Sequence, residues 1–282
     1  MPLSPSSSAQ NARETIAARL KELRREAGLS GHGLALLLGW SESKVSRIAN
    51  ARTPPSDADI REWCEACGVV HLAADLVAAN RQAGEMYVEW KRLHRTGMKH
   101  AQEMVLPVLD RSRQIRVYCS NVVPGMLQRR EYARALMATI TDFQQTPDDV
   151  EAAVESRLQR SRFLHEGNRT FALVVEETVL RYLIGGRPVM VDQLRHLLEV
   201  MSATRVSLGV IPFTAPRRMW PLEAFSIFDD RQVNAELLSA AVTITTPGEI
   251  TAYAKAFKVL ASMAVYGPQA RNLIEEAIAS LG

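Results

Sequence analysis

The sequence predicts a chain of two classes: an all-α module at the N-terminus and a mixed α/β domain behind it. Three observations carry this. Up to about residue 72 the apolar residues recur at helical spacing, with glycine and serine punctuating short runs. From about residue 105, short apolar runs rich in Val, Ile and Phe alternate with helical patterns, as in an α/β domain. And 282 residues, 47% of them hydrophobic, are enough for two cores. The expected division is a flexible Pro/Ser tail over 1–11, a helical module over 12–72, a helical connector over 73–104 and an α/β domain over 105–282.

Bulk composition excludes more than it identifies. Charged residues are 23% and the net charge is +3, too slight to name a nucleic-acid partner, so the distribution of charge decides. The three cysteines, Cys64, Cys67 and Cys119, are too few and odd in number for a disulfide scaffold and fit a reducing cytoplasm. The N-terminal residues lack the basic segment and apolar run of a signal peptide. No apolar run approaches the ~20 residues needed to span a membrane.

The first helix, "ARETIAARLKELRREAGLS", places Ile16, Leu20, Leu23 and Ala27 on one stripe and ends at Gly28. Ser30 suits the N-cap of a short second helix, "GHGLALLLG". Gly39 then turns the chain, and Ser41 suits the N-cap of a third helix, "ESKVSRIAN". There Val45 and Ile48 face the apolar residues before them, while Glu42, Ser43, Ser46 and Arg47 face away. Two prolines in "ARTPPSD" forbid helix continuation, and a fourth helix, "DADIREWCEACGV", starts with Asp57 as cap.

These residues resemble the phage-repressor-type (XRE-like) helix-turn-helix over about residues 12–70. The shared features are Leu29, the Leu34-Ala35 pair, Gly39, Ser41, Val45, Ile48 and Asn50, with a basic residue and proline beyond. The sequence departs from that pattern at Gly31, where the family often has Gln. It departs again at Ala49, where the family often has a Glu paired with an arginine of the first helix, here Arg24. The resemblance implies that the third helix enters the DNA major groove. Its N-terminal residues then reach base edges, namely Ser41, Glu42, Ser43, Ser46 and Arg47. Arg47 suits guanine and Glu42 suits cytosine N4, while Lys44 and Arg52 suit phosphates. From residue 11 to 53 there are eight Lys/Arg against four Glu, so the module is locally about +4. A solvated surface helix is the competing reading.

Cys64, Cys67 and His71 fall at i, i+3 and i+7, a spacing compatible with zinc or a redox pair. Their place in the closing helix beside Trp63 favours small buried side chains instead. No metal or cofactor is therefore expected. In the connector, Arg81, Lys91, Arg92, Arg95 and Lys99 form a basic face, read as solvated rather than as a second DNA contact.

Beyond it, "IRVYC" is expected to be a strand, "RREYARALMATI" a helix, and "TPDDVEAAVESRLQRSRFLHEG" a helix capped by Thr146. "RTFALVVEETVLRYLIGG" is a strand feeding a helix that Gly185-Gly186 ends, and "MVDQLRHLLEVMSAT" is a helix. "RVSLGVIPF", "EAFSIFDD" and "AELLSAAVTITT" are strands, and two helices close the chain. "VVPGMLQRREYARAL", "VEETVLRYLIGG", "VMVDQLRHL", "VSLGVIPF" and "EAFSIF" resemble the C-terminal domain of actinobacterial regulators described as antitoxin-like or WhiJ-like. Where that family carries a basic residue followed by glutamine, this chain has Arg160-Ser161. The resemblance implies a small partner protein encoded nearby.

Glu176-Glu177 are too close in sequence for an acid/base pair, and no nucleotide, metalloprotease or nucleophile-elbow motif occurs, so no enzyme is expected. Gln128, Tyr132, Arg181 and Gln193 are polar residues inside apolar patterns, candidates for lining a pocket or bridging elements. Arg217, Arg218 and Trp220 form an Arg-rich aromatic loop suited to a partner. The expectation is a cytoplasmic transcriptional regulator that binds an inverted-repeat operator as a homodimer and senses a signal or partner through its second domain. The alternative is an antitoxin-like protein that neutralises a small partner and binds DNA to regulate itself.

Overall fold

The structure is a computed structural model and describes residues 7–85 and 87–282. The chain forms two compact units. One reaches to Val88 and takes in Val242–Ile244; the other holds Glu89–Ala241 and Thr245–Gly282. The tail expected over 1–11 lies outside the described residues as far as residue 6, and from Ser7 the chain is helical.

The first unit contains helices α1 (Ser7–Glu26), α2 (Gly31–Leu38), α3 (Glu42–Ala49), α4 (Asp57–Ala66) and α5 (Ala73–Glu85). Its core joins Ile16 and Leu20 of α1 to Leu34, Ala35, Val45, Ile48, Ile60, Trp63 and Cys64. Ala27, expected on the apolar stripe, is exposed because α1 has already ended at Glu26. Trp63 is fully buried and donates its indole N–H to the Leu20 carbonyl at 2.9 Å, so the large ring closes the core without an orphaned donor. Helix α5 packs on α1 and α4 and adds Ala73, Val77 and Ala83 to this core. The stretch after residue 72 therefore contributes to the first unit's interior and does more than connect.

The cap of α4 differs from expectation. Ser56, not Asp57, caps it: Ser56 Oγ accepts from the Asp59 N–H at 3.1 Å, and the Asp59 carboxylate accepts from the Ser56 N–H at 2.9 Å. This reciprocal box satisfies two donors at once. Asp57 becomes the first helical residue and pairs with Arg81 of α5.

In chain order there follow β1 (Tyr87–Glu89), α6 (Trp90–Leu93), α7 (Lys99–Glu103), α8 (Leu106–Arg111), β2 (Gln114–Cys119), α9 (Arg130–Gln144) and α10 (Val150–Leu158). Then come β3 (Thr170–Glu176), α11 (Thr178–Arg181), α12 (Arg187–Val200), β4 (Val206–Ile211), β5 (Phe225–Phe228), β6 (Gln232–Glu236), β7 (Ala240–Ile244), α13 (Pro247–Ala261) and α14 (Gly267–Ser280). Within the second unit the strands stand in the order β6-β5-β2-β3-β4. Strand β2 pairs parallel with β3 and β3 with β4, while β5 pairs antiparallel with β2 and β6 with β5. The fold class is thus an all-α helix-turn-helix module followed by a mixed α/β domain, as the residue patterns predict.

Successive strand residues point to opposite faces. Ile115, Val117 and Cys119 of β2 and Phe171, Leu173 and Val175 of β3 join one core with Leu194 of α12 and Ile274 of α14. On the other face Tyr118 packs on Phe225, and Phe225 meets Tyr253 of α13 edge-on. Burial on both faces explains the nearly continuous apolar runs of β3 and β4.

Two expected elements are reshaped. Helix α10 starts at Val150 behind Asp149, and not behind Thr146. The Asp149 carboxylate instead accepts from the N–H groups of Met98 and Lys99, at 2.7 and 2.9 Å, at the start of α7. The single strand expected over "AELLSAAVTITT" is two, because the chain breaks between β6 and β7, where Leu238 projects into solvent.

Candidate nucleic-acid interface

Local backbone chemistry positions α3. Ser30 Oγ accepts from the Gly33 N–H at 2.9 Å and starts α2. Gly39 ends α2 in the left-handed conformation, φ 63°, which glycine adopts without the Cβ penalty. Ser41 Oγ then accepts from the Lys44 N–H at 3.2 Å and starts α3. The buried side chains of Val45 and Ile48 lock the helix to Leu34 and α1. This leaves Ser43, Ser46 and Arg47 exposed on the outward face, with Ser41 and Glu42 exposed at its start.

The C-terminal end of α3 is equally tied. Asn50 Nδ2 donates to the Ser46 carbonyl at 2.8 Å, and Ala51 turns the chain with a left-handed φ of 55°. The Arg52 N–H returns to the Arg47 carbonyl at 2.9 Å, so both arginines stand beside one helix end. Both are exposed, and neither has an ion pair or side-chain hydrogen bond among the described residues. They are cations held in place by backbone with their guanidinium donors unspoken for.

Lys44 departs from the expectation of a free phosphate contact. Its Nζ lies 2.6 Å from Asp59 Oδ1 and 3.6 Å from the Trp40 ring centroid. Trp40 in turn donates to Glu62 at 3.2 Å. Lys44 therefore fastens the turn and α3 to the start of α4, because Asp59 of the capping box reaches it first. Burial pushes the Asp59 carboxyl upward, but Lys44 and Ser56 outweigh it and hold it below its ordinary 3.8. A lowered carboxyl stabilises the fold above its unfolded-state pKa and loses that contribution as pH falls through the folded-state value. Stability of the first unit is therefore expected to decline below about pH 4, with a shallower acid limb in Asp59→Asn. Circular dichroism during acid titration checks this, and identical limbs would remove Asp59 from the account.

His32 Nδ1 lies 2.7 Å from Glu42 Oε1, across the turn. The contact occupies one of the two Glu42 carboxylate oxygens. Sequence analysis missed His32 because the pair spans ten residues and only the turn brings it together. Arg24, which lacks the family's Glu at Ala49, donates instead to the Leu29 carbonyl at 2.9 Å.

The residues singled out in the second unit fall into two groups. Gln128, Tyr132 and Gln193 meet around the segment 123–129, and all three are buried. The Val123 N–H donates to the Tyr132 hydroxyl at 3.2 Å, and Gln128 Nε2 donates to the Val123 carbonyl at 2.7 Å. Gln193 accepts from the Arg129 N–H and donates to the Leu127 carbonyl. Gln193 and Tyr132 thus bridge elements instead of lining an open pocket, because their polar atoms are taken by backbone. In the second group, Glu176 is buried and accepts from Tyr118 and from both terminal nitrogens of Arg217, at 2.9, 2.8 and 2.5 Å. Glu177 accepts from Arg181 at 3.0 Å and from the Phe213 N–H at 2.9 Å. Arg218 donates to Ser262 at 2.6 Å, while Trp220 is exposed. Each carboxylate of Glu176-Glu177 is thereby committed to its own arginine and to pinning the loop after β4.

Cys64 and Cys67 are buried, and burial pushes both thiols up. A raised thiol is a poor nucleophile and ligand. His71 is exposed, and among the described residues no group of three His, Cys, Asp or Glu could hold a metal ion. Among the described residues no helix is long and apolar enough to cross a membrane.

Residues 15–76 match a helix-turn-helix domain, and residues 107–276 match the domain of unknown function DUF5753. No curated protein matches. Among solved structures, an archaeal chromatin protein, TrmBL2, reported to show a novel mode of DNA binding, aligns with 85% of this chain and 88% of its own. The identity is 10% and the TM-score 0.32, too low to bear on fold or function.

Proposed function

This chain belongs to the DUF5753 family and carries a helix-turn-helix domain ahead of that domain, and from this premise we propose that it is a sequence-specific, DNA-binding transcriptional regulator. The observation that carries the reading is the outward face of α3: Ser43, Ser46 and Arg47, beside Arg52, on a helix capped at its start and locked by Val45 and Ile48. A helix so fixed fits the major groove, and an unengaged arginine suits guanine O6 and N7.

The reading extends to assembly. One module of this kind buries little surface on DNA, and a homodimer on an inverted repeat doubles it with half-sites about one helical turn apart. The second unit then serves dimerisation and the sensing of a signal or partner. The work is cytoplasmic, where the DNA is.

The test is genome-wide binding, wild type beside Arg47→Ala and Lys44→Ala. Arg47→Ala is expected to cost about 1–3 kcal/mol at a specific site and to relax preference at one base pair. Lys44→Ala is expected to act through the stability of α3, lowering the melting temperature and weakening all sites alike. Unchanged specific binding in Arg47→Ala would place another element in the groove. Binding confined to the protein's own promoter would favour the antitoxin-like alternative, with a small partner protein as its target.

A further inference from the structure

We propose that the second unit holds a binding site for the oxyanion of a small molecule, a phosphate or carboxylate group, formed by Arg157 and Arg160 beside Gly125. It deepens the sensing role proposed above by naming the ligand's chemistry, and it does not need the DNA-binding reading to hold.

The two arginines stand one turn apart, at the end of α10 and the start of the 3-10 turn Gln159–Leu164. Arg157 donates from Nε to Gln102 Oε1 at 2.9 Å and from Nη1 to Gln128 Oε1 at 2.8 Å. Arg160 donates from Nη2 to the Gln102 carbonyl at 2.9 Å. All three acceptors are neutral. Among the described residues neither arginine forms an ion pair, although Arg116 and Arg169, also partly buried, each have a carboxylate within 4 Å.

Both side chains are half-buried overall, yet desolvation lowers the pKa of each, that of Arg160 to about 9, and Arg157 adds to the effect on Arg160. Glu236 acts on both only from a distance. Two guanidiniums are therefore drawn out of water next to one another with no counter-charge in contact. An uncompensated buried charge is among the costlier features a fold retains.

The donors are not used up. A guanidinium carries five N–H groups, and the Nε of Arg160 is buried without a partner. The groups also converge. A Cβ placed on Gly125 would stand 3.5 Å from Arg160 Nη1 and 3.9 Å from Arg157 Nε, so bare backbone faces both. Gly125 lies in the segment 123–129, which Gln128 ties to itself and which Tyr132 of α9 and Gln193 of α12 tie from outside. Two planar forks with free donors, no counter-ion and a glycine beside them suit an anion with two or more oxygens. A bound anion would also pull on Gln128 and hence on segment 123–129, a route by which occupancy reaches α9 and α12.

The test uses the full chain without DNA. Inorganic phosphate, pyrophosphate and citrate are titrated at constant ionic strength, with melting temperature and calorimetric heat as readouts. The expected result is saturable stabilisation by at least one of them, retained in Arg47→Ala, which excludes phosphate held by the DNA-binding face. Arg157→Gln and Arg160→Met should each weaken it about tenfold or more. Response to phosphate and pyrophosphate alone assigns a phosphorylated ligand, and response to citrate alone a carboxylate. A second readout needs no ligand: Arg160→Met should raise the melting temperature of the free protein, since it removes an uncompensated charge that makes one neutral hydrogen bond. No saturable response to any probe, an equal response in both variants, or a lowered melting temperature in Arg160→Met would each overturn the site while leaving the DNA-binding reading standing.

Discussion

Trp63→Ala is expected to unfold the first unit or leave it barely folded. Truncating a fully buried aromatic costs about 3–5 kcal/mol, and the Leu20 carbonyl loses the indole N–H, which adds up to about 1 kcal/mol. A small domain has a total stability of only about 5–15 kcal/mol, so this one change consumes much of it. DNA binding goes with it, because Val45 and Ile48, which aim α3, share the core with Trp63. Denaturant unfolding followed by tryptophan fluorescence and circular dichroism measures the loss. Trp63→Phe, which keeps most of the volume and loses the hydrogen bond, should fall between. A Trp63→Ala variant with native stability would mean that the helices are held by something other than this core.

Glu176→Ala is expected to cost the second unit about 2–4 kcal/mol. Breaking a buried ion pair usually costs about 3–5 kcal/mol, and Arg217, a third exposed, recovers part of that by turning to solvent. Tyr118 recovers less, because its hydroxyl is internal and Glu176 is its acceptor. Glu176→Gln keeps an acceptor for Tyr118 and should cost less than the alanine. A double-mutant cycle with Arg217→Met isolates the pair. A coupling indistinguishable from zero would show that Arg217 does not pin the loop after β4. The same loss should loosen the loop bearing Trp220, visible as faster hydrogen exchange there.

The sequence by itself determined the class of each half and the placing of most elements. The signals were local ones, and local chemistry is written in consecutive residues. Ser30 and Ser41 cap because a side-chain oxygen reaches a backbone N–H three residues on. Gly39 turns because glycine admits a positive φ, and Val45 and Ile48 point inward because their spacing matches the helical period. The outward set of Ser43, Ser46 and Arg47 follows from the same period. Two caps were misplaced along the chain: the helix expected behind Thr146 starts behind Asp149, and the cap expected at Asp57 is Ser56.

Only the tertiary structure decided which charges are free. Lys44 and Arg47 are alike on a helical wheel, yet Asp59, fifteen residues away, takes Lys44 and leaves Arg47 alone. Glu42 meets His32, and Arg217 meets Glu176 across forty-one residues. Arg160 stood out in sequence only for the serine that follows it and Arg157 not at all, and packing against Gln102, Gln128 and Gly125 makes them two desolvated cations without a counter-ion. The physical reason is one of range. A hydrogen bond within a turn needs only neighbours, whereas the partner of a long side chain depends on which distant segment the fold brings within about 3 Å.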